Sequence, residues 1–202
     1  MGLRERKKAE TRTALSWAAI RLTVERGLEA VKVEDIAEAA GVSPRTFNNY
    51  FSSKAEAIAA RHLDRALMVA EHLRERPADE PLWTAVKAAV LAQLQPGPEV
   101  TEHPPADREF WVTGVRLMVA DPAYHGEFLR ASAVAQGELA KAVADRTGVG
   151  LDTGMYPHLV ASAVMSASDV ATRHWLRTDG RAGIDELLTS ALDQLAAGLP
   201  TP

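Results

Sequence analysis

The sequence predicts an all-α protein of about nine helices, with a small N-terminal three-helix domain followed by a larger helical domain. Three observations predict it. Alanine is abundant while β-branched residues and aromatics are sparse, aromatics making up only 5% of the chain, a balance that favours helix over strand. Apolar residues recur at i, i+3, i+4 and i+7. Glycine and proline cut the 202 residues into segments of ordinary helix length. The boundary between the two domains is placed after Lys54, giving 1–54 and 55–202.

The elements follow in order. Leu15, Ala18, Ala19 and Leu22 share one face of a first helix over Thr11–Arg26, and Gly27 stops it. Val33–Ala40 is a short second helix whose inner face is Ile36, Ala37 and Ala40. Gly41 stands where a left-handed residue ends such a helix. Ser43-Pro44 is an N-cap followed by proline at the first helical position, so a third short helix runs Pro44–Phe51. Ser53-Lys54-Ala55-Glu56 has capping-box spacing and opens a long helix to about Arg76. Pro77 to Pro81 separates it from Leu82–Leu94, and Pro96, Gly97, Pro98, Pro104 and Pro105 make a loop. Further helices are expected over Asp107–Ala120, Ala123–Arg146, Met155–Arg177 and Ile184–Ala197.

Composition excludes several classes. No cysteine means no disulfide, no thiol catalysis and no cysteine-ligated zinc. The six histidines show no metal-ligand spacing, no serine sits in a nucleophile elbow, and Gly148 and Gly150 form no phosphate-cradling loop. An enzyme, a metal site and a cofactor are therefore not expected. No apolar run reaches the roughly 18 residues of a membrane span, and the N-terminus is not a secretory signal; no membrane is expected, and the default address is the cytoplasm. Net charge is −4, against a generally sticky nucleic-acid binder. The positive excess lies at the start, in Arg4, Arg6, Lys7, Lys8 and Arg12. A short basic arm fits phosphate contacts, and the same cluster also reads as a merely solvated, frayed terminus.

The segment that carries chemistry is Val33–Lys54, VEDIAEAAGVSPRTFNNYFSSK. Two short helices joined by a glycine turn can present the second to the major groove of DNA. Ile36, Ala37, Ala40, Val42, Phe47 and Phe51 form the inner face, leaving Arg45, Thr46, Asn48, Asn49 and Tyr50 outward. Arginine can pair with guanine, asparagine with adenine, and hydroxyls with phosphate. Lys54 adds charge at the start of the next helix. Periodicity alone leaves a second reading open, a three-helix packing element with a polar surface.

The run Ala14–Ile58, and DIAEAAGVSPRTF with NNYF and SSK above all, resembles the DNA-binding domain of the tetracycline-repressor (TetR/AcrR) family. The resemblance covers about the first 60 residues and implies a homodimer that binds double-stranded operator DNA, with a variable C-terminal domain for a small-molecule effector. It implies DNA contacts at the positions of Thr46, Asn48, Asn49, Tyr50 and Lys54, and at Arg45. The sequence departs from the family pattern at Lys32, where threonine is usual and caps the second helix while contacting phosphate. It departs also at Thr23, usually aromatic, at Trp17, usually small or polar, and at Asn48, often aromatic. The last bears on operator sequence.

The C-terminal half more weakly resembles an actinobacterial branch that includes mycofactocin-type regulators, which implies an acyl-thioester or similar lipophilic effector. Small residues from Ala161 to Ala171 mark Met155–Arg177, with Ile184–Ala197, as the dimerising pair, or as intramolecular packing. Trp83, Phe110, Trp111, Met118, Tyr124, Phe128 and Trp175 are candidates for an apolar pocket, or for core. Arg116 and Asp169, charges among apolar residues, each need a partner if buried. The expected function is a ligand-released repressor; an activator or architectural DNA-binding protein without an effector is the alternative.

Overall fold

The computed structural model describes residues 2–94 and 108–201. Among them are nine α-helices and no strand. These are α1 (Leu3–Arg26), α2 (Val33–Ala39), α3 (Pro44–Tyr50), α4 (Lys54–Glu75), α5 (Leu82–Ala92), α6 (Arg108–Ala120), α7 (Pro122–Thr147), α8 (Tyr156–Arg177) and α9 (Ile184–Ala196). The expected proline loop and Asp107 lie outside the described residues.

The described residues pack as two compact units, 2–62 with 108–131, and 63–94 with 132–201. In the first, α1 packs against α2 and α6, and α2 against α3. Its core gathers Leu15, Ala19 and Leu22 of α1, Ile36 and Ala37 of α2, Phe47 of α3 and Ile58 of α4. In the second, α9 packs on α5 and α8. Its core holds Leu73, Val86, Val90, Leu139, Val143, Val164, Leu188 and Leu192. Each helix contributes one apolar face, as its 3.6-residue period requires.

α4 and α7 contribute to both units. Within the second unit the C-terminal end of α4 is held by α7. Arg146 donates to the carbonyls of Arg76 (3.3 Å), Pro77 (2.5 Å) and Glu80 (2.6 Å), supplying donors to the turn that follows α4. Arg76 pairs with Glu80 through two hydrogen bonds, and this contact holds the Glu80 carboxyl below the usual carboxylate range.

One boundary differs from the sequence reading by more than two residues. α1 begins at Leu3, not Thr11. Nothing between Leu3 and Thr11 breaks a helix, and leucine, arginine, glutamate, lysine and alanine all favour one. Gly2 N–H donates to Glu5 Oε2 at 3.4 Å, and Thr11 Oγ1 to the Lys7 carbonyl at 2.9 Å. The basic arm is therefore two exposed helical turns that continue α1.

The α1–α6 approach depends on a missing side chain. A Cβ at Gly114 would lie 2.5 Å from Val24 Cγ1 and 2.7 Å from the Val24 carbonyl oxygen. The backbone oxygen cannot rotate away, so Gly114→Ala overpacks this crossing. A loss of about 1–3 kcal/mol is expected from urea denaturation. At Gly137, inside α7 with no atom within 4 Å, the same substitution stabilises by up to about 1 kcal/mol. Equal effects at the two glycines would contradict the assigned crossing.

Candidate DNA-binding face

α3 is seven residues long, and both of its ends are fixed. Ser43 Oγ accepts from Thr46 N–H at 3.1 Å, with Pro44 at the first helical position. Thr46 Oγ1 lies 2.9 Å from Ser43 Oγ, so the Thr46 hydroxyl is shared between the cap and any outer partner. Gly41 takes φ of 68° in the turn before it, a conformation that suits glycine. Phe47 is fully buried and Phe51 nearly so, their rings 5.7 Å apart. With the inner face committed, Arg45, Asn48 and Asn49 are exposed, while Thr46 and Tyr50 are half-buried at the edges.

The flanking residues separate. Lys32 is exposed; its backbone N–H donates to Asp35 Oδ2 at 2.8 Å, the half of a capping box that needs no acceptor on the side chain at 32. Lys54 is half-buried, and its ammonium donates to the carbonyls of Leu28 (2.7 Å) and Val31 (2.5 Å). The expected capping box at α4 takes a split form. Ser53 Oγ accepts from Glu56 N–H, while the Glu56 carboxylate bonds Ser52 N–H and Ser52 Oγ, both at 2.6 Å. Arg4, Lys7 and Lys8 are exposed on the first turns of α1. The guanidinium of Arg12 lies 5.4 Å from the Phe51 ring centroid, tying that cation to the core side of α3.

The aromatic candidates for a ligand pocket do not gather in one place. Trp111, Met118, Tyr124 and Phe128 belong to the core of the first unit. There Trp17 and Trp111 lie 5.4 Å apart, Tyr124 and Phe128 5.8 Å, and His62 stacks on Phe128 at 4.3 Å. Trp83 packs on the core of the second unit, to which Trp175 also belongs. Phe110 is 54% exposed and Arg116 is exposed. Arg116 therefore does not pose the buried-charge problem that its apolar neighbours in sequence suggest, because those neighbours do not all face one way. Asp169 is half-buried, and its partner is Arg173, one turn on, at 2.9 Å.

Residues 17–60 match the pattern of bacterial regulatory proteins of the tetR family, and residues 80–200 match the MftR C-terminal domain. The transcriptional regulator TcmR of Streptomyces glaucescens is 35% identical over 201 residues, covering 96% of this chain and 86% of that protein. A Mycobacterium tuberculosis protein named as a mycofactocin biosynthesis transcriptional regulator, MftR, is 30% identical, covering 96% and 93%. The chain belongs to the TetR family. The fold agrees with that of a Thermus thermophilus TetR-family repressor, FadR, solved with lauroyl-CoA. That likeness has a TM-score of 0.54 at 18% identity and covers 95% of this chain and 96% of that one. The relatives are transcriptional regulators, and this TetR-family chain has a helix-turn-helix in α2 and α3. No helix among the described residues is long and apolar enough to cross a membrane.

Two departures from the family pattern fall within the first unit. Thr23 is buried, its hydroxyl without a partner among the described residues, where an aromatic is usual. Trp17 brings aromatic bulk from elsewhere on α1, against Trp111 of α6. Sequence reasoning missed the Trp17–Trp111 contact, for which an unusual tryptophan on α1 was the available signal. It missed the internal bonds of Lys54 as well, and no local pattern marks those.

Tyr124 is 6% exposed, and burial pushes its phenol up to about 12. The folded state thus holds the proton above the ordinary value of about 10. This contribution is complete below pH 10 and is lost as pH rises toward 12, up to about 2–3 kcal/mol. Tyr124→Phe should flatten the fall in urea-denaturation stability between pH 9.5 and 11.5. An unchanged slope would mean that the phenol is solvated.

Proposed function

We propose that this TetR-family chain is a repressor, a homodimer that holds a near-palindromic operator and releases it on binding a small lipophilic ligand. The observation that carries the reading is the division of α3, with Phe47 fully buried and Arg45, Asn48 and Asn49 exposed. Those side chains suit base edges: arginine pairs bidentately with guanine O6 and N7, and asparagine with adenine N6 and N7. Thr46, Tyr50, Lys32, Arg4, Lys7 and Lys8 are of the types that hold phosphates.

Dimerisation is supported by the surface of α8. Tyr156, Leu159, Ala163, Ser166 and Val170 recur at alternating spacings of three and four residues. Leu159 is 61% and Val170 60% exposed. A stripe of that kind fits a second copy in a helical bundle, α9 offering half-buried Leu187, Ala191 and Leu195. Two recognition helices would then enter successive major grooves roughly 34–36 Å apart.

The MftR-type C-terminal match, and the lauroyl-CoA named for the Thermus structure, support an acyl thioester or similar effector. Its apolar part would lie against Trp111, Met118, Tyr124 and Phe128. Release requires that it bind the DNA-incompetent state more tightly, because only a differential affinity moves the equilibrium.

A gel shift and footprint on the DNA upstream of the chain's own gene test this. Wild type should protect two half-sites related by a dyad, and lauroyl-CoA should release them. Arg45→Ala with Tyr50→Ala should abolish the shift while helicity by circular dichroism is kept. A specific shift that survives the double substitution removes α3 from recognition. Acyl-CoA esters that neither bind nor release the complex, at any chain length, rule out that effector class.

A further inference from the structure

We propose that Lys54 is a positioning residue that clamps the loop between α1 and α2, and that Lys32 rather than Lys54 is the phosphate-binding cation on this side of α3. The inference rests on the reading that α3 meets DNA. An ammonium has three donors, and two of those on Lys54 are spent within the protein, on Leu28 O and Val31 O at 2.7 and 2.5 Å. Those acceptors lie 26 and 23 residues earlier in the chain, so the bonds close a long loop.

Both carbonyls belong to residues 27–32, which carry the chain from α1 into α2; the segment is bonded to the helices at its two ends, Gly27 N–H to the Thr23 carbonyl and Ile36 N–H to the Lys32 carbonyl, and the Lys54 ammonium holds it between them. The loop opens on Gly27 with φ of 82° and ends beside Val31, which is fully buried. Charge-assisted bonds are stronger than neutral ones. Turning the ammonium outward to a phosphate would leave two carbonyls in half-buried surroundings without it, and that cost is comparable to what the phosphate would return.

Lys54 and Lys32 line the same notch of about 450 Å³, together with Glu29, Glu34, Pro44 and Asn48. The two cations are placed differently within it. Lys32 stands exposed at the start of α2. Lys54 is half-buried with its ammonium turned inward to two backbone carbonyls. Located at the first residue of α4, Lys54 links that helix to the segment that sets where α2, and so α3, begins. Loss of the clamp should therefore weaken every operator contact together and remove no single one.

Salt dependence separates the two roles. Each phosphate neutralised contributes about 0.9 to the slope of log K against log salt. Full-length protein and its footprinted duplex are titrated over a range of salt, at a temperature where circular dichroism shows each variant folded. Lys32→Met should lower the slope by about one. Lys54→Met should weaken binding about tenfold or more with the slope unchanged. Lys54→Arg, which keeps two donors for the carbonyls, should restore most of the affinity. Lys54→Gln, a neutral donor, serves if the methionine variant does not fold, and it too should keep the slope. A slope lowered by about one in either neutral variant makes Lys54 a phosphate ligand and overturns the proposal. Unchanged affinity in a folded Lys54→Met protein reduces it to a fold-stabilising residue and overturns the proposal equally. Amide hydrogen exchange without DNA gives an independent readout: residues 27–32 should exchange faster in Lys54→Met or Lys54→Gln, and unaltered exchange refutes the clamp. Wild type that binds no duplex would sink the DNA reading while this exchange result still decided the clamp.

Discussion

The burial of Phe47 is the constraint on which the rest depends. A seven-residue helix cannot hold itself in water, because nucleation costs more than so few hydrogen bonds return. α3 exists because its cap at Ser43 satisfies one end and the Phe47 ring, fully buried among α1, α2 and α4 residues, fixes its rotation. Once that rotation is set, the helical period decides which side chains face out. Arg45, Asn48 and Asn49 are exposed as a direct consequence. The specificity of the face is thus a product of the core beneath it.

The same core contains the chain's departures from its family's pattern. Aromatic bulk is absent at Thr23 and present at Trp17, where it meets Trp111. Gly114 admits α6 to the backbone of α1 near Val24, so the helix that carries Trp111 is fixed by contact as well as by sequence. At α2, where Lys32 replaces the usual threonine, the Asp35 carboxylate still accepts from the backbone N–H of residue 32, a bond that does not involve the lysine side chain.

Much of this was legible in the sequence because the signals are local. Gly41, Ser43 and Pro44 each demand a backbone state, and together they placed α3 to within a residue of its observed end. The apolar period separated Phe47 from Arg45 and Asn48 for the same reason. The start of α1 was less legible, since leaving a charged terminus as an arm overlooked helix propensity that nothing interrupts. Long-range facts were not legible at all. The ammonium of Lys54 finds carbonyls more than twenty residues away, and the aromatic candidates divide between two packed units. Arg116 read as a charge on an apolar helix, yet α6 is solvated on that side. Residues 55–202 carry few punctuating motifs, and side-chain roles there depend on partners that periodicity does not name.

The most direct test of the central claim is photo-cross-linking to an operator duplex from a reactive side chain placed in turn at Asn49 of α3 and at Asp145 of α7, both exposed. The account predicts covalent attachment from position 49 alone, at bases in both halves of the palindrome. Attachment from position 145, or none from position 49 in a complex that still forms, would contradict it.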